Sequence, residues 1–139
     1  MTSVDSSAFE AALQRDLERL ALQAMDEVVA AGYKINGEAQ KRTPVDGGNL
    51  RAAWKVHIQR TTDGGVVMVS NATEYAEYIE YGTKPHIIVA RKKKVLADRD
   101  AGKVFGRTVR HPGTSPRPML RPAVQAVVPQ LLRRLRGMK

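Results

Sequence analysis

Cysteine is absent from the chain, which excludes a disulfide framework, a thiolate metal site and a cysteine nucleophile together. Aromatic residues are scarce as well: one tryptophan, two phenylalanines and four tyrosines make up 5% of 139 residues, against 42% apolar overall. A core built from that supply is expected to be aliphatic, drawn from Leu, Val, Ile and Ala. No run of eighteen apolar residues occurs, and the start Met1-Thr2-Ser3-Val4-Asp5 lacks the basic and apolar segments of a secretory signal. The expectation is a soluble protein, not exported by that route and with no membrane partner. The histidines His57, His86 and His111 stand in no metal-ligand spacing, and Gly47-Gly48 lacks the Lys-Ser/Thr that completes a phosphate loop. No catalytic, cofactor or metal residue is therefore assigned.

What the chain does have is charge, unevenly placed. The net charge of +9 hides nine Lys/Arg against twelve Asp/Glu in residues 1–90, and fourteen against two in residues 91–139. An acidic two-thirds is thus joined to a basic third. Copies of such a chain can satisfy one another head to tail, or the basic third can meet nucleic acid through sequence-independent phosphate contacts. The second reading lacks a recognition helix or a stacking platform, since only Phe105 lies among the basic residues.

The length fits one domain spanning 1–139. Ser7 with Glu10 has the form of a capping box, and Phe9, Leu13, Leu17, Leu20, Ala24, Val28, Ala31 and Ile35 fall in steps of four and three. That stripe predicts an amphipathic helix to about Arg42, roughly 50 Å long, which Gly32 and Gly37 weaken and Pro44 stops. Its length exceeds what one small domain needs, so part of it is expected either to cross its own sheet or to pack on a neighbouring subunit. Val45 to Asn49 is turn chemistry with an Asn or Asp cap, and Leu50 to Ala53 one helical turn. Trp54, Val56 and Ile58 alternate with Lys55, His57 and Gln59, then Thr62-Asp63-Gly64-Gly65 turns the chain into the returning strand Val66 to Ser70.

The middle of the chain holds three of the four tyrosines, at Tyr75, Tyr78 and Tyr81. Their spacing predicts a short helix with a tyrosine ridge, an adjacent acidic edge of Glu74, Glu77 and Glu80, and a left-handed stop at Gly82. That trio is also the one carboxylate cluster able in principle to hold a cation or act as an acid–base pair, which keeps a small hydrolase as a distant third reading. A short strand His86 to Ala90 follows, then a second, strongly basic hairpin over 91–110 that has the means to project as an arm. Four prolines between His111 and Pro122 make 111–121 a stiff connector. A final helix, Pro122 to Arg136, is expected to kink or split at Pro129. The fold class is α+β: a long N-terminal helix packed on a small antiparallel sheet, with an inserted basic β-hairpin and a C-terminal helix.

Three blocks, Thr43 to Arg51 (TPVDGGNLR), Tyr75 to Thr83 (YAEYIEYGT) and His111 to Ala123 (HPGTSPRPMLRPA), taken in this order resemble the tail-component family of tailed bacteriophages. Departures are mild: Gly47 stands where the family often has Thr, and Glu77 where it often has Pro. The resemblance implies a non-enzymatic virion protein of the tail or neck, assembled in the host cytoplasm. It implies a homo-oligomeric ring, a hexamer, at the head–tail junction. DNA would pass through the ring and touch it without sequence preference, with tail and head-connector proteins as neighbours. Interface residues expected on this reading are Glu74, Tyr75, Glu77, Tyr78 and Glu80 on one side. On the other are Arg91, Lys92, Lys93, Lys94, Arg107, Arg110, Arg117 and Arg121. The alternative is a nucleic-acid-binding module using the basic C-terminal third.

Overall fold

A computed structural model describes residues 6–91, 96–98 and 102–139, which fall into two compact units, Met1–Thr73 with Met119–Lys139 and Glu74–Pro118. In chain order the elements are α1 (Ser6–Arg42), α2 (Asn49–Ala52), β1 (Trp54–Thr61), β2 (Gly64–Asn71) and α3 (Ala76–Tyr81), followed by β3 (His86–Val89), β4 (Leu96–Asp98), β5 (Lys103–Gly106), β6 (Thr108–His111) and α4 (Leu120–Arg136). The fold is α+β, as the sequence leads one to expect. Three two-stranded antiparallel sheets, β1-β2, β3-β6 and β4-β5, carry the strands.

In the first unit α1 lies along α4 and across both strands of the β1-β2 hairpin. Strand pairing runs from Trp54 opposite Asn71 to Thr61 opposite Gly64, so the turn is only Thr62-Asp63 and both glycines belong to β2. Val56 and Ile58 then share a face with Val69 and Val67, and that face is toward α1: a Cβ at Gly32 would overlap Val67 Cγ1 and sit 3.6 Å from Val56 Cγ1. Gly32, expected only to weaken the helix, instead admits the sheet to close range.

The buried set is mostly aliphatic, as expected, but it is drawn from alanine more than from leucine and includes two methionines. Met25, Ala31, Ala39, Leu50, Trp54, Met119, Ala123 and Val127 are buried, whereas Leu13, Leu17, Leu22 and Leu132 are exposed. Small residues and flexible methionines fill the space because helix and hairpin approach so closely. Helix α1 is already formed at Ser6, one residue ahead of the serine expected to cap it. Its apolar stripe divides in two: residues 6–19 are exposed throughout, and burial begins only where Ala21, Leu22 and Met25 meet the hairpin tip at Arg60, Thr61, Thr62 and Gly64. Helix α2 starts without a side-chain cap from Asp46 or Asn49; Gly48 occupies the N-cap position. Helix α4 runs through Pro129 without splitting.

Near its end α1 carries an exposed ion-pair cluster. Glu38 accepts from Arg42 Nη1, and from Lys41 Nζ at 2.9 Å. The Arg42 bond foremost, then Lys41, holds the Glu38 carboxyl down from 4.5 to about 2. A carboxyl depressed in the folded state contributes stability above its ordinary value and loses it as pH falls toward the folded value. Glu38→Gln is therefore expected to differ from the parent chain at neutral pH and to converge with it between pH 4.5 and about 2, which urea unfolding across that range at low salt will read. The pair is exposed, so added salt should shrink the difference.

In the second unit, β3 pairs with β6 and β4 with β5, one pair nested inside the other in sequence. The expected strand 103–110 is broken at Gly106-Arg107 into β5 and β6. Gly82 ends α3 with the expected positive φ, 71°, but its ψ of 179° lies outside the left-handed helical region, in one that is essentially glycine's alone. No helix among the described residues is long and apolar enough to cross a membrane.

Candidate functional site

The first sequence block is held by a set of side-chain anchors within its own unit. Trp54, which follows the first block, donates its indole N–H to Thr43 Oγ1 at 2.8 Å, and that hydroxyl donates to the Ala39 carbonyl at 2.7 Å. Asn71, opposite Trp54 in the hairpin, donates to the Leu50 carbonyl at 2.8 Å and accepts from Thr73 N–H and Oγ1 at 3.0 and 2.7 Å. The turn block is thus held by a buried hydrogen-bond chain, which suits a structural role.

The second and third blocks, far apart in sequence, meet directly. Thr83 and Thr114 form an isolated antiparallel bridge, N–H to carbonyl in both directions at 3.0 and 3.1 Å, and their hydroxyls lie 3.0 Å apart. The crossing is tight on both sides. A Cβ at Gly82 would overlap the Thr114 carbonyl oxygen and fall 2.8 Å from Pro116 N; one at Gly113 would overlap the Thr83 carbonyl oxygen and fall 2.9 Å from the Lys84 carbonyl carbon. Only glycine fits such an approach with a positive φ. Arg117 N–H donates to the Ile79 carbonyl at 2.7 Å, which ties the proline-rich segment to α3 as well.

Beside this clasp His86 and His111 face each other across the β3-β6 pair, rings stacked with centroids 4.9 Å apart. Their partners fix opposite roles: His86 Nδ1 donates to the Lys84 carbonyl at 2.8 Å, whereas His111 Nδ1 accepts from Gly113 N–H at 3.0 Å. Sequence spacing gave no sign of this pairing, which depends on a strand register. A solvent-open cleft of about 550 Å³ is lined by Tyr78, Gly82, Thr83, Lys84 and His86. It brings together a phenol, an ammonium and an imidazole. No group of three or more His, Asp or Glu among the described residues is placed to hold a metal ion.

The residues expected at an interface are distributed as follows. Tyr75, Tyr78 and Tyr81 are 45%, 59% and 59% exposed, so the tyrosine ridge is bare. Glu74 and Glu77 are exposed, but Glu80 is buried at 6%, so the acidic edge is two carboxylates wide and not three. Arg91, Arg107, Arg110 and Arg117 are exposed in the same unit as the tyrosines, with Arg110 opposite Ile87 in the register. Arg121 lies in α4, in the other unit; Lys92, Lys93 and Lys94 fall outside the described residues. Apolar exposure was the signal that charge counting missed: Ile87, Val89, Val104 and Phe105 are 60%, 53%, 69% and 50% exposed.

A family model described as "Bacteriophage HK97-gp10, putative tail-component" matches residues 7–82, more than half of the chain. No curated protein and no solved structure matches it.

Proposed function

The chain belongs to the bacteriophage HK97-gp10 tail-component family, and from that premise we propose that it completes the tail at the head–tail junction as a ring of identical copies, a hexamer, through which the DNA passes. It acts as a structural protein of the virion, with tail and head-connector proteins above and below and non-specific phosphate contacts in the lumen. One observation supports self-assembly most directly. Among the described residues of the Glu74–Pro118 unit only Glu80 and Ala90 are buried, while three tyrosines, Ile87, Val89, Val104 and Phe105 stand exposed. A unit with so little core of its own needs a surface to lie on.

Cyclic symmetry sets one face of each copy against a different face of the next, and the unequal charge of the two parts of the chain suits that arrangement. Glu74 and Glu77, or the acidic first helix, would meet basic residues of 91–110 in a neighbour. Light scattering at low and physiological salt, followed by imaging, is expected to find rings of six. Lys92→Glu, Lys93→Glu and Lys94→Glu combined should release subunits at low salt; rings that survive the reversal intact would remove the charge contact from the reading. Salt-sensitive retention of duplex DNA by a chain that never assembles would favour the nucleic-acid-binding module instead.

A further inference from the structure

Residues 6–19 of α1 extend about 20 Å beyond the hairpin tip, and every one of them is exposed. Phe9, Leu13 and Leu17 form a stripe there, 64%, 49% and 58% exposed. Helical geometry places Glu10 about 60° to one side of that stripe; Asp16, about 60° to the other, is already paired with Arg19 at 3.2 Å. A helix of this length with nothing against it is marginal in water. An apolar seam flanked by the Glu10 carboxylate therefore calls for a surface that is apolar and carries a cation.

The chain carries such a surface. Antiparallel register puts Ile87 and Val89 on the face of the β3-β6 pair that also holds Arg110. Ile87 and Val89 are 60% and 53% exposed, and Arg110 is exposed with no ion pair among the described residues. Another exposed apolar strand face, Val66 and Met68 of β2, stands opposite Gln59 and His57, and its cation, Lys55, lies at the end of that face opposite Ser70. We infer that the exposed first half of α1 docks, stripe down, on the outer face of β3-β6 in a second copy of this chain, Phe9, Leu13 and Leu17 covering Ile87 and Val89 with Glu10 beside Arg110. The inference rests on the ring reading and names its subunit contact. The contact is heterologous, so it propagates from copy to copy and closes where the rotation allows. It also accounts for a helix longer than its own hairpin requires.

The absence of native cysteine makes the test clean. Copies carrying Leu13→Cys are mixed with copies of different mass carrying Ile87→Cys, and a short bismaleimide is added. The mixed dimer is expected at several-fold higher yield than either homodimer, and the double variant should give a ladder of linked multimers. A dominant Leu13→Cys homodimer would overturn the inference in favour of helix pairing with helix. Preferential linking of Leu13→Cys to Met68→Cys would overturn it in favour of the β1-β2 face. Leu13→Asp with Leu17→Asp changes only exposed positions, so helical circular dichroism should persist while rings fall to monomers. Rings that persist in that variant, or that form without the mixed cross-link, overturn the docking contact and leave the ring reading standing. A parent chain that stays monomeric overturns both.

Discussion

Trp54→Ala is expected to cost about 3–5 kcal/mol, roughly a fifth or more of the stability of an ordinary domain. The melting temperature should fall by about 10 °C or more. Trp54 is 6% exposed, it is the sole tryptophan, and no other aromatic ring among the described residues is buried. Its removal leaves a void and takes from the Thr43 hydroxyl the donor it accepts from. Thr43, 2% exposed, accepts from the indole and donates to the Ala39 carbonyl, so one hydroxyl joins the end of α1 to the start of β1. Thr43→Val keeps the volume and strands the indole N–H, for about 1–3 kcal/mol. The double variant should lose less than the sum of the two, because both single changes break the same bond. Urea unfolding with an unchanged slope checks all three; a double variant that is strictly additive would separate the indole from the hydroxyl.

Gly82→Ala should act on the other unit alone. The new methyl group meets the Thr114 carbonyl oxygen and Pro116 N, backbone atoms on a segment that Arg117 N–H already ties to Ile79, and no side-chain rotation relieves it. A non-glycine residue held at a φ of 71° adds strain of about 1–3 kcal/mol. The amides of Thr83 and Thr114, which bond each other across the clasp, are expected to exchange with solvent roughly 10- to 100-fold faster. The Ala72 amide, bonded to the Ala53 carbonyl in the first unit, should be unaffected. Equal acceleration at all three amides would mean that the two units open together and that Gly82 serves the whole chain.

Period and turn chemistry made much of this fold legible. Trp54, Val56 and Ile58 announced a strand by alternation, and the structure pairs them with Asn71, Val69 and Val67. The stripe from Phe9 to Ile35 announced α1, and α4 was likewise readable from Val124, Val127, Leu131 and Leu135. What stayed hidden depends on contacts between distant segments. Gly32 reads as a helix weakener until Val67 is seen beside it. Glu80 reads as the third member of an acidic edge, because spacing along a helix says nothing of which carboxylate turns inward. The stacked histidines exist only through the register of His86 against His111. The candidate contact surface was half legible: the cations could be counted, whereas the bare Ile87 and Val89 looked in sequence like any buried strand.

The Thr83–Thr114 clasp also divides the chain's freedom to vary. Everything from Lys84 to Gly113 leaves and returns through one narrow gate whose two strands are hydrogen-bonded to each other. Closing such a gate costs an entropy that grows only as the logarithm of the length it encloses. The nested strands behind it are in that sense a cassette: residues can be added at the β4-β5 tip, or removed there, at a price of tenths of a kcal/mol while Gly82 and Gly113 stay in place. The family match spans residues 7–82 and so ends at Gly82, the first post of this gate.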